Sequence, residues 1–213
     1  MVRVKIFTFN LFNENTFVLW DDETKESAVI DPGTSTADEQ KIFTDFIISQ
    51  KLNIKYLINT HCHIDHILGC KFVKEKFNAV YYAPEKDIVL LKNSVMQAQM
   101  FDIVFEEPPE PDKLISEKTE IFLGNSKIEF LFTPGHTPGE YCLYLQKERI
   151  CITGDVLFKE GIGRTDLWGG DYDALINSIE NKLFSLPDDV KIYPGHGEAS
   201  TIGYEKQYNP FLV

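Results

Sequence analysis

The 213-residue chain carries 21 basic and 33 acidic side chains, a formal net charge of −12, with 43% hydrophobic and 25% charged residues. That balance suits a globular protein with a full core. The basic residues are scattered rather than gathered in a patch, which weighs against nucleic acid and against an anionic membrane as partners.

The opening MVRVKIFTFN alternates like a strand and lacks the features of a signal peptide. No apolar run approaches the roughly 20 residues that span a bilayer. The four cysteines, Cys62, Cys70, Cys142 and Cys151, form no C-x-x-C pair and are expected to be reduced. The expectation is a soluble, cytoplasmic protein.

In chain order, Val2, Val4 and Ile6 and then residues 16–20 read as strands, and DDETKES turns the chain into the apolar AVIDPG. Residues 34–51 predict a helix capped by Ser35 or Thr36, with Ile42, Phe43, Phe46 and Ile47 as its apolar stripe. Residues 54–58 predict a buried strand that runs into NTHCHIDHILG (59–69), and helical spacing resumes over 67–77. Pro84 opens another predicted helix reaching about residue 101. FEEPPEPDK (105–113) reads as an exposed connection. Strand-like runs follow at 127–132, 141–145 and 148–154, then a helix near 172–184, a strand at 190–194 and a short terminal helix.

Helices thus separate two strand-rich halves, one before residue 60 and one after 120. That order predicts an α/β (α+β) chain folded as one domain over 1–213, a sheet sandwich with helices outside.

All five histidines stand in glycine- or ligand-rich loops, and none is expected on a helix face. Imidazole and carboxylate donors suit zinc and similar metals. His61 and His63, two apart in an extended segment, can share one ion, and Asp65 and His66, further along, can reach a second. His136 in TPGHTPG and His196 in YPGHGE each follow a strand and a Pro-Gly turn, and Asp155 in CITGDVLF follows a strand and a glycine. Loops at one edge of a sheet would bring these donors to a common cleft. Cys62 lies inside the cluster, but alternation in an extended loop turns it away from His61 and His63, so it is expected to pack in the interior. Trp168 reads either as a wall of the cleft or as a subunit contact.

These motifs resemble the metallo-β-lactamase fold superfamily: VIDPG, THCHIDH, TPGHTPG, TGD and PGHG occur in its order and spacing over nearly the whole chain. The resemblance implies an αββα four-layer sandwich with a dinuclear centre at one sheet edge. His61, His63 and His136 would hold the first metal, Asp65, His66 and His196 the second, and Asp155 would bridge both. Two divalent ions are therefore expected, zinc foremost, with iron or manganese also accepted by this donor set. Asp65 and Asp155 would be the carboxylates of the catalytic centre. Asp31 resembles the aspartate that orients a ligand from behind, and it also reads as a turn-starting aspartate before Pro-Gly.

Within the superfamily the chain is most similar to glyoxalase II-like (hydroxyacylglutathione hydrolase-like) enzymes of the short bacterial type, through TGDVLFKEGIGRTDLWGGD (153–171) and PGHGEASTIGYEKQYNPFL (194–212). Arg164 then stands where longer relatives place a lysine against the thiol part of the substrate; it also reads as an ion-pair partner of Asp166 or Asp171. The implied substrate is a small-molecule thioester, cleaved by water activated between the metals. The sequence departs from the longer enzymes in two ways. It continues only 17 residues past His196, without their basic helical region, and GHGEAS stands where they carry a tyrosine.

A persulfide dioxygenase-like iron enzyme, using His61, His136 and Asp155, is the nearest rival, and an acyl-homoserine lactonase shares the whole ligand set. A β-lactamase with H-x-H-x-D-H would lack Asp155. A binding module without chemistry would be expected to have lost a ligand.

Overall fold

A computed structural model describes residues 1–212. The strands β1 (Val2–Phe9), β2 (Glu14–Asp21), β3 (Glu26–Ile30), β4 (Asn53–Ile58), β5 (Val80–Pro84) and β6 (Lys113–Ile115) form one six-stranded sheet in that spatial order. The pairs β1–β2 and β2–β3 are antiparallel and need only tight turns. From β3 onward the pairs are parallel, so each strand returns through a crossover. These crossovers supply α1 (Ala37–Ser49), the short α2 (Ile64–Ile67) and α3 (Cys70–Phe77), and then α4 (Ile88–Lys92) and α5 (Ser94–Met100).

The second half adds β7 (Ile121–Leu123), β8 (Ser126–Phe132), β9 (Tyr141–Leu145) and β10 (Ile150–Gly154), then the hairpin of β11 (Leu157–Phe158) with β12 (Gly161–Ile162). After α6 (Tyr172–Ser178), which continues as a π turn over Ile179–Leu183, come β13 (Lys191–Pro194), β14 (Ser200–Thr201) and α7 (Ile202–Tyr208). The second sheet runs β14-β13-β10-β9-β8-β7. Its one parallel pair, β10–β13, is bridged by the segment containing α6.

Alternation along β2 explains the layering. Phe17 and Leu19 enter the core between the sheets with Ile30, Ile58, Ile128 and Leu143. Val18 and Trp20 point the other way, into the core under α1 with Phe43 and Ile47. Leu175, Ile179, Leu183 and Ile202 cover the outer face of the second sheet. Three apolar layers therefore lie between helix, sheet, sheet and helix, the αββα sandwich. Among the described residues, no helix is long and apolar enough to cross a membrane.

Thr36 caps α1: its hydroxyl accepts from the Glu39 N–H, and the Glu39 carboxylate accepts from the Thr36 N–H at 3.0 Å. The expected stripe on this helix is narrower than the sequence suggests, since Phe43 and Ile47 are buried while Ile42 is 56% exposed.

Two expected helices are interrupted. Helical spacing from 67 onward is taken up only at Cys70, as α3, separated from the preceding turn α2 where the Gly69 N–H donates to the Pro32 carbonyl at 2.7 Å. Pro84 both ends β5, paired with Ile115 of β6, and caps the 3₁₀ turn over Glu85–Asp87 that runs into α4, so helix does follow it to Met100, interrupted at Asn93 between α4 and α5. The connection over 105–112 has no regular structure.

Candidate metal centre

Each donor follows the carboxyl end of a strand. His61 and His63 follow β4, His136 follows β8, Asp155 directly follows β10, and His196 follows β13. The parallel register that pairs Gly154 with Pro194 draws the last two together. Asp65 and His66 lie on the one-turn helix α2 rather than in a loop, which corrects the expectation that no histidine sits on a helix. That single turn swings their side chains away from His63 and toward His196.

The donors gather in two trios. One donor atom each from His61, His63 and His136 lies within 4.8 Å of the others, and the same holds for Asp65, His66 and His196. Asp155 stands between them: Oδ1 is 3.5 Å from His66 Nε2, while Oδ2 is 3.5 Å from His136 Nε2 and 3.6 Å from His196 Nε2.

The outward nitrogens fix the tautomers. His136 Nδ1 lies 2.8 Å from the Arg164 carbonyl and His196 Nδ1 lies 3.2 Å from the Phe12 carbonyl. A carbonyl only accepts, so in both rings Nδ1 donates and the lone pair is left on Nε2, facing inward. His66 Nδ1 is 3.2 Å from Asp31, and His61 Nδ1 is 3.1 Å from the Thr60 hydroxyl and 3.4 Å from Glu140. His63 is turned the other way, with Nδ1 inward, 2.8 Å from His136 Nε2.

Asp31 is held in place by the Thr60 N–H (2.7 Å) and hydroxyl (2.6 Å), both donating to its carboxylate. Its carboxylate thus lies behind the His66 ring, in a residue that also takes a turn conformation (φ 47°).

Three buried carboxylates at this site escaped the sequence reading. Glu140 accepts from the Asp155 N–H at 2.7 Å while lying behind His61. Glu14, the first residue of β2, accepts from the Thr16 hydroxyl at 2.9 Å. Asp87 accepts from the Cys62 N–H (3.2 Å) and the Thr137 hydroxyl (2.8 Å), tying the His61–His63 segment to the His136 turn. Glu140 left a trace in the sequence, an acidic residue at the head of the apolar YCLYL; Asp87 left none, being an ordinary acidic residue in a polar turn.

Gly195 is required by close approach: a Cβ there would come 2.3 Å from Asp155 Oδ1 and 2.7 Å from His66 Cε1. Gly154 has φ +49° and leaves room for Glu140 and Thr60.

Burial, reinforced by neighbouring imidazoles, holds His61 far below the ordinary histidine range. Burial likewise lowers His63 to about 3 and His136 to about 4. At His66 burial acts in the same sense, but the carboxylates of Asp65 and Asp155 outweigh it and raise the pKa. Burial pushes Glu14 and Glu140 well up. Neutral imidazoles at His61, His63 and His136 beside costly buried carboxylates are what bound cations would reconcile. His61 Nε2, His66 Nε2 and Asp155 Oδ1 are buried without a hydrogen-bond partner, as expected of atoms whose lone pairs serve a metal. The residues fit a pair of divalent ions.

Arg164 lines the cavity above the donors, with Nε and Nη2 each 2.7 Å from the Asp166 carboxylate; Asp171 instead caps α6. Cys62 is buried in the core beneath α1 and α3, and all four cysteines are free and buried. Trp168 lines the same cavity, which has a volume of about 680 Å³.

A family profile described as the metallo-beta-lactamase superfamily matches residues 10–196. The hydroxyacylglutathione hydrolase GloC of Haemophilus influenzae is 39% identical over 213 residues, covering 99% of this chain and 98% of that protein. Among solved structures, the BLEG-1 B3 metallo-beta-lactamase superposes with a TM-score of 0.91 at 31% identity, covering 99% of this chain and 100% of that one. TTHA1623 in a di-iron-bound form gives a TM-score of 0.88 at 30% identity, covering 98% and 100%. Fold, donor arrangement and full-length similarity agree, and the chain belongs to the metallo-beta-lactamase superfamily.

Proposed function

We propose that this chain is a metal-dependent hydrolase of thioesters, hydroxyacyl-glutathione among them. The observation that carries the reading is the convergence of two donor trios on either side of Asp155 at the floor of a cavity. The full-length similarity to a hydroxyacylglutathione hydrolase supports the choice of bond. A cytoplasmic setting fits the four free, buried cysteines.

His61, His63 and His136 would hold one ion and Asp65, His66 and His196 the other, with Asp155 shared. Zinc is the first candidate; the di-iron form of TTHA1623 keeps iron in view, and manganese accepts the same donors. When bound, such a pair supplies Lewis acidity toward the thioester carbonyl and a nucleophile drawn from water near neutral pH.

The protein's own groups do the positioning. Glu140 and Asp31 hold the His61 and His66 rings from behind, and the Arg164 and Phe12 carbonyls fix the tautomers of His136 and His196. Asp65 and Asp155, at the cavity floor among the donors, are the carboxylates that would flank the attacking water. Arg164 is placed to meet the thiol arm. All five histidines belong to the cluster, leaving no imidazole as a proton donor. A thiolate needs none, because with a pKa of about 8.5 a thiol departs readily as its anion.

The test is elemental analysis of protein purified without added metal, followed by assay of S-lactoylglutathione hydrolysis beside persulfide-dependent oxygen consumption. Two metals with thioester cleavage and no oxygen uptake support the reading. One iron per chain with oxygen uptake replaces it with the dioxygenase.

A further inference from the structure

The metal donors form only the floor of the cavity, and its walls are mostly apolar, with Asn93, Gln97 and Arg164 as the polar side chains among them. Val89, Met96 and Met100 come from α4 and α5, Phe101 follows α5, Phe12 comes from the β1–β2 turn, and Trp168 stands on the loop after β12. Met96, Met100 and Phe101 are 57%, 72% and 49% exposed, and Trp168 is 61% exposed. Large apolar side chains left uncovered around one cleft mark a surface that something apolar covers. Methionines suit an adaptable wall, because their unbranched chains repack around ligands of different shape.

Charge points the same way. Arg164 is the only lysine or arginine among the described residues lining the cavity, and its guanidinium is already engaged by Asp166. The acidic lining residues, Asp65 and Asp155, belong to the donor set. A charged acyl arm would find no free counter-ion here, whereas an alkyl or aryl arm would cover the exposed wall.

We infer that the α4–α5 wall selects thioesters with an apolar acyl arm, of medium-chain alkyl or aryl type, over those with a small hydroxyacyl group. The acyl arm lies along Met96, Met100 and Phe101, and the reactive carbonyl sits over the donor trios. This rests on the thioesterase reading for the position of the carbonyl.

Two measurements on the metal-loaded protein test it. The first is kcat/KM for S-acetyl-, S-butanoyl-, S-hexanoyl- and S-octanoylglutathione beside S-lactoylglutathione. The expected result is a rise of about two- to fourfold per added methylene, with the lactoyl compound near the bottom of the series. The second is binding of the non-hydrolysable thioethers S-methyl- to S-octylglutathione, read by calorimetry and by a blue shift of Trp168 emission; Trp20, only 9% exposed, provides a steady background. The double substitution Met96→Gln, Met100→Gln should flatten both chain-length series at unchanged metal content.

Rates and affinities that are flat or falling with chain length overturn the inference, as does a chain-length series that the double substitution leaves intact. If S-lactoylglutathione is hydrolysed without any chain-length dependence, the thioesterase reading survives and the apolar arm falls. If the thioethers show the methionine-dependent series while no thioester is cleaved, the apolar arm survives and the thioesterase reading falls.

Discussion

Replacing Asp87 by asparagine removes a charge from the interior while nearly preserving its shape. The carboxylate is fully buried and accepts two hydrogen bonds on Oδ2, from Cys62 N–H and Thr137 Oγ1; Oδ1 is buried without a partner. Burial lifts its pKa from 3.8 to about 6. Because the folded value is the higher one, the folded protein keeps a proton that the unfolded chain has lost between roughly pH 4 and pH 6. Stability from this group therefore falls as pH rises through that window. Above it the ionised carboxylate costs on the order of 3 kcal/mol.

The amide of Asp87→Asn can still accept both hydrogen bonds and never ionises. Metal-free protein should gain about 1–2 kcal/mol at pH 7.5, a rise of about 3–6 °C in Tm for a chain of this size, and lose nothing at pH 4. Asp87→Ala should instead lose about 2–5 kcal/mol at pH 4, since it orphans a buried N–H and a buried hydroxyl at about 1–3 kcal/mol each, and less at pH 7.5, where it also removes the buried charge, while staying below asparagine at both. Urea unfolding of chelated protein at pH 4, 5, 6 and 7.5 reads all three proteins. Asparagine proving as harmful as alanine at pH 7.5 would show that the folded carboxylate is stably ionised and paired, and the reasoning would fail.

Three further outcomes follow from the site. Asp155→Ala removes the group lying within 3.6 Å of histidines from both trios, and should lower bound metal below two per chain and turnover by more than about 100-fold; full metal content with full rate would refute the shared-ligand assignment. Gly195→Ala drives a methyl against Asp155 and His66 and should weaken metal binding about 10- to 100-fold in a calorimetric titration, so unchanged affinity would contradict the packing described. Dialysis against a chelator should lower Tm, because ions at a hundredfold excess over Kd stabilise by about 2.7 kcal/mol per site; a melting curve indifferent to chelator and to added Zn, Mn or Fe would disprove a folded-state metal site.

Much of this was legible because strand ends are. His136, Asp155 and His196 each follow an apolar run closed by Pro-Gly or Gly, and the H-x-H-x-D-H cluster follows the run 54–58, so the gathering of donors could be expected before any contact was known. The boundaries were harder. Val80–Pro84 lies right behind α3, whose only stop signal is Asn78 in the left-handed conformation (φ 54°); without it, β5 merges with the helical spacing that follows. The edge strands β6, β7 and β14 are two or three residues long, too short for alternation to register. Glu14, Asp87 and Glu140 read as solvated acids, because sequence pattern does not reveal a carboxylate whose burial depends on partners far along the chain.

Both donor trios draw on both sheets: His61, His63, Asp65 and His66 follow a strand of the first, while His136 and His196 follow strands of the second. A cation seated in either trio is thus a rivet between half-molecules, closing a loop that links positions as far apart as 65 and 196. Loading must come after the two halves have docked, and parting the halves must release the ions. Chelator and denaturant would then pull on a single equilibrium from opposite ends.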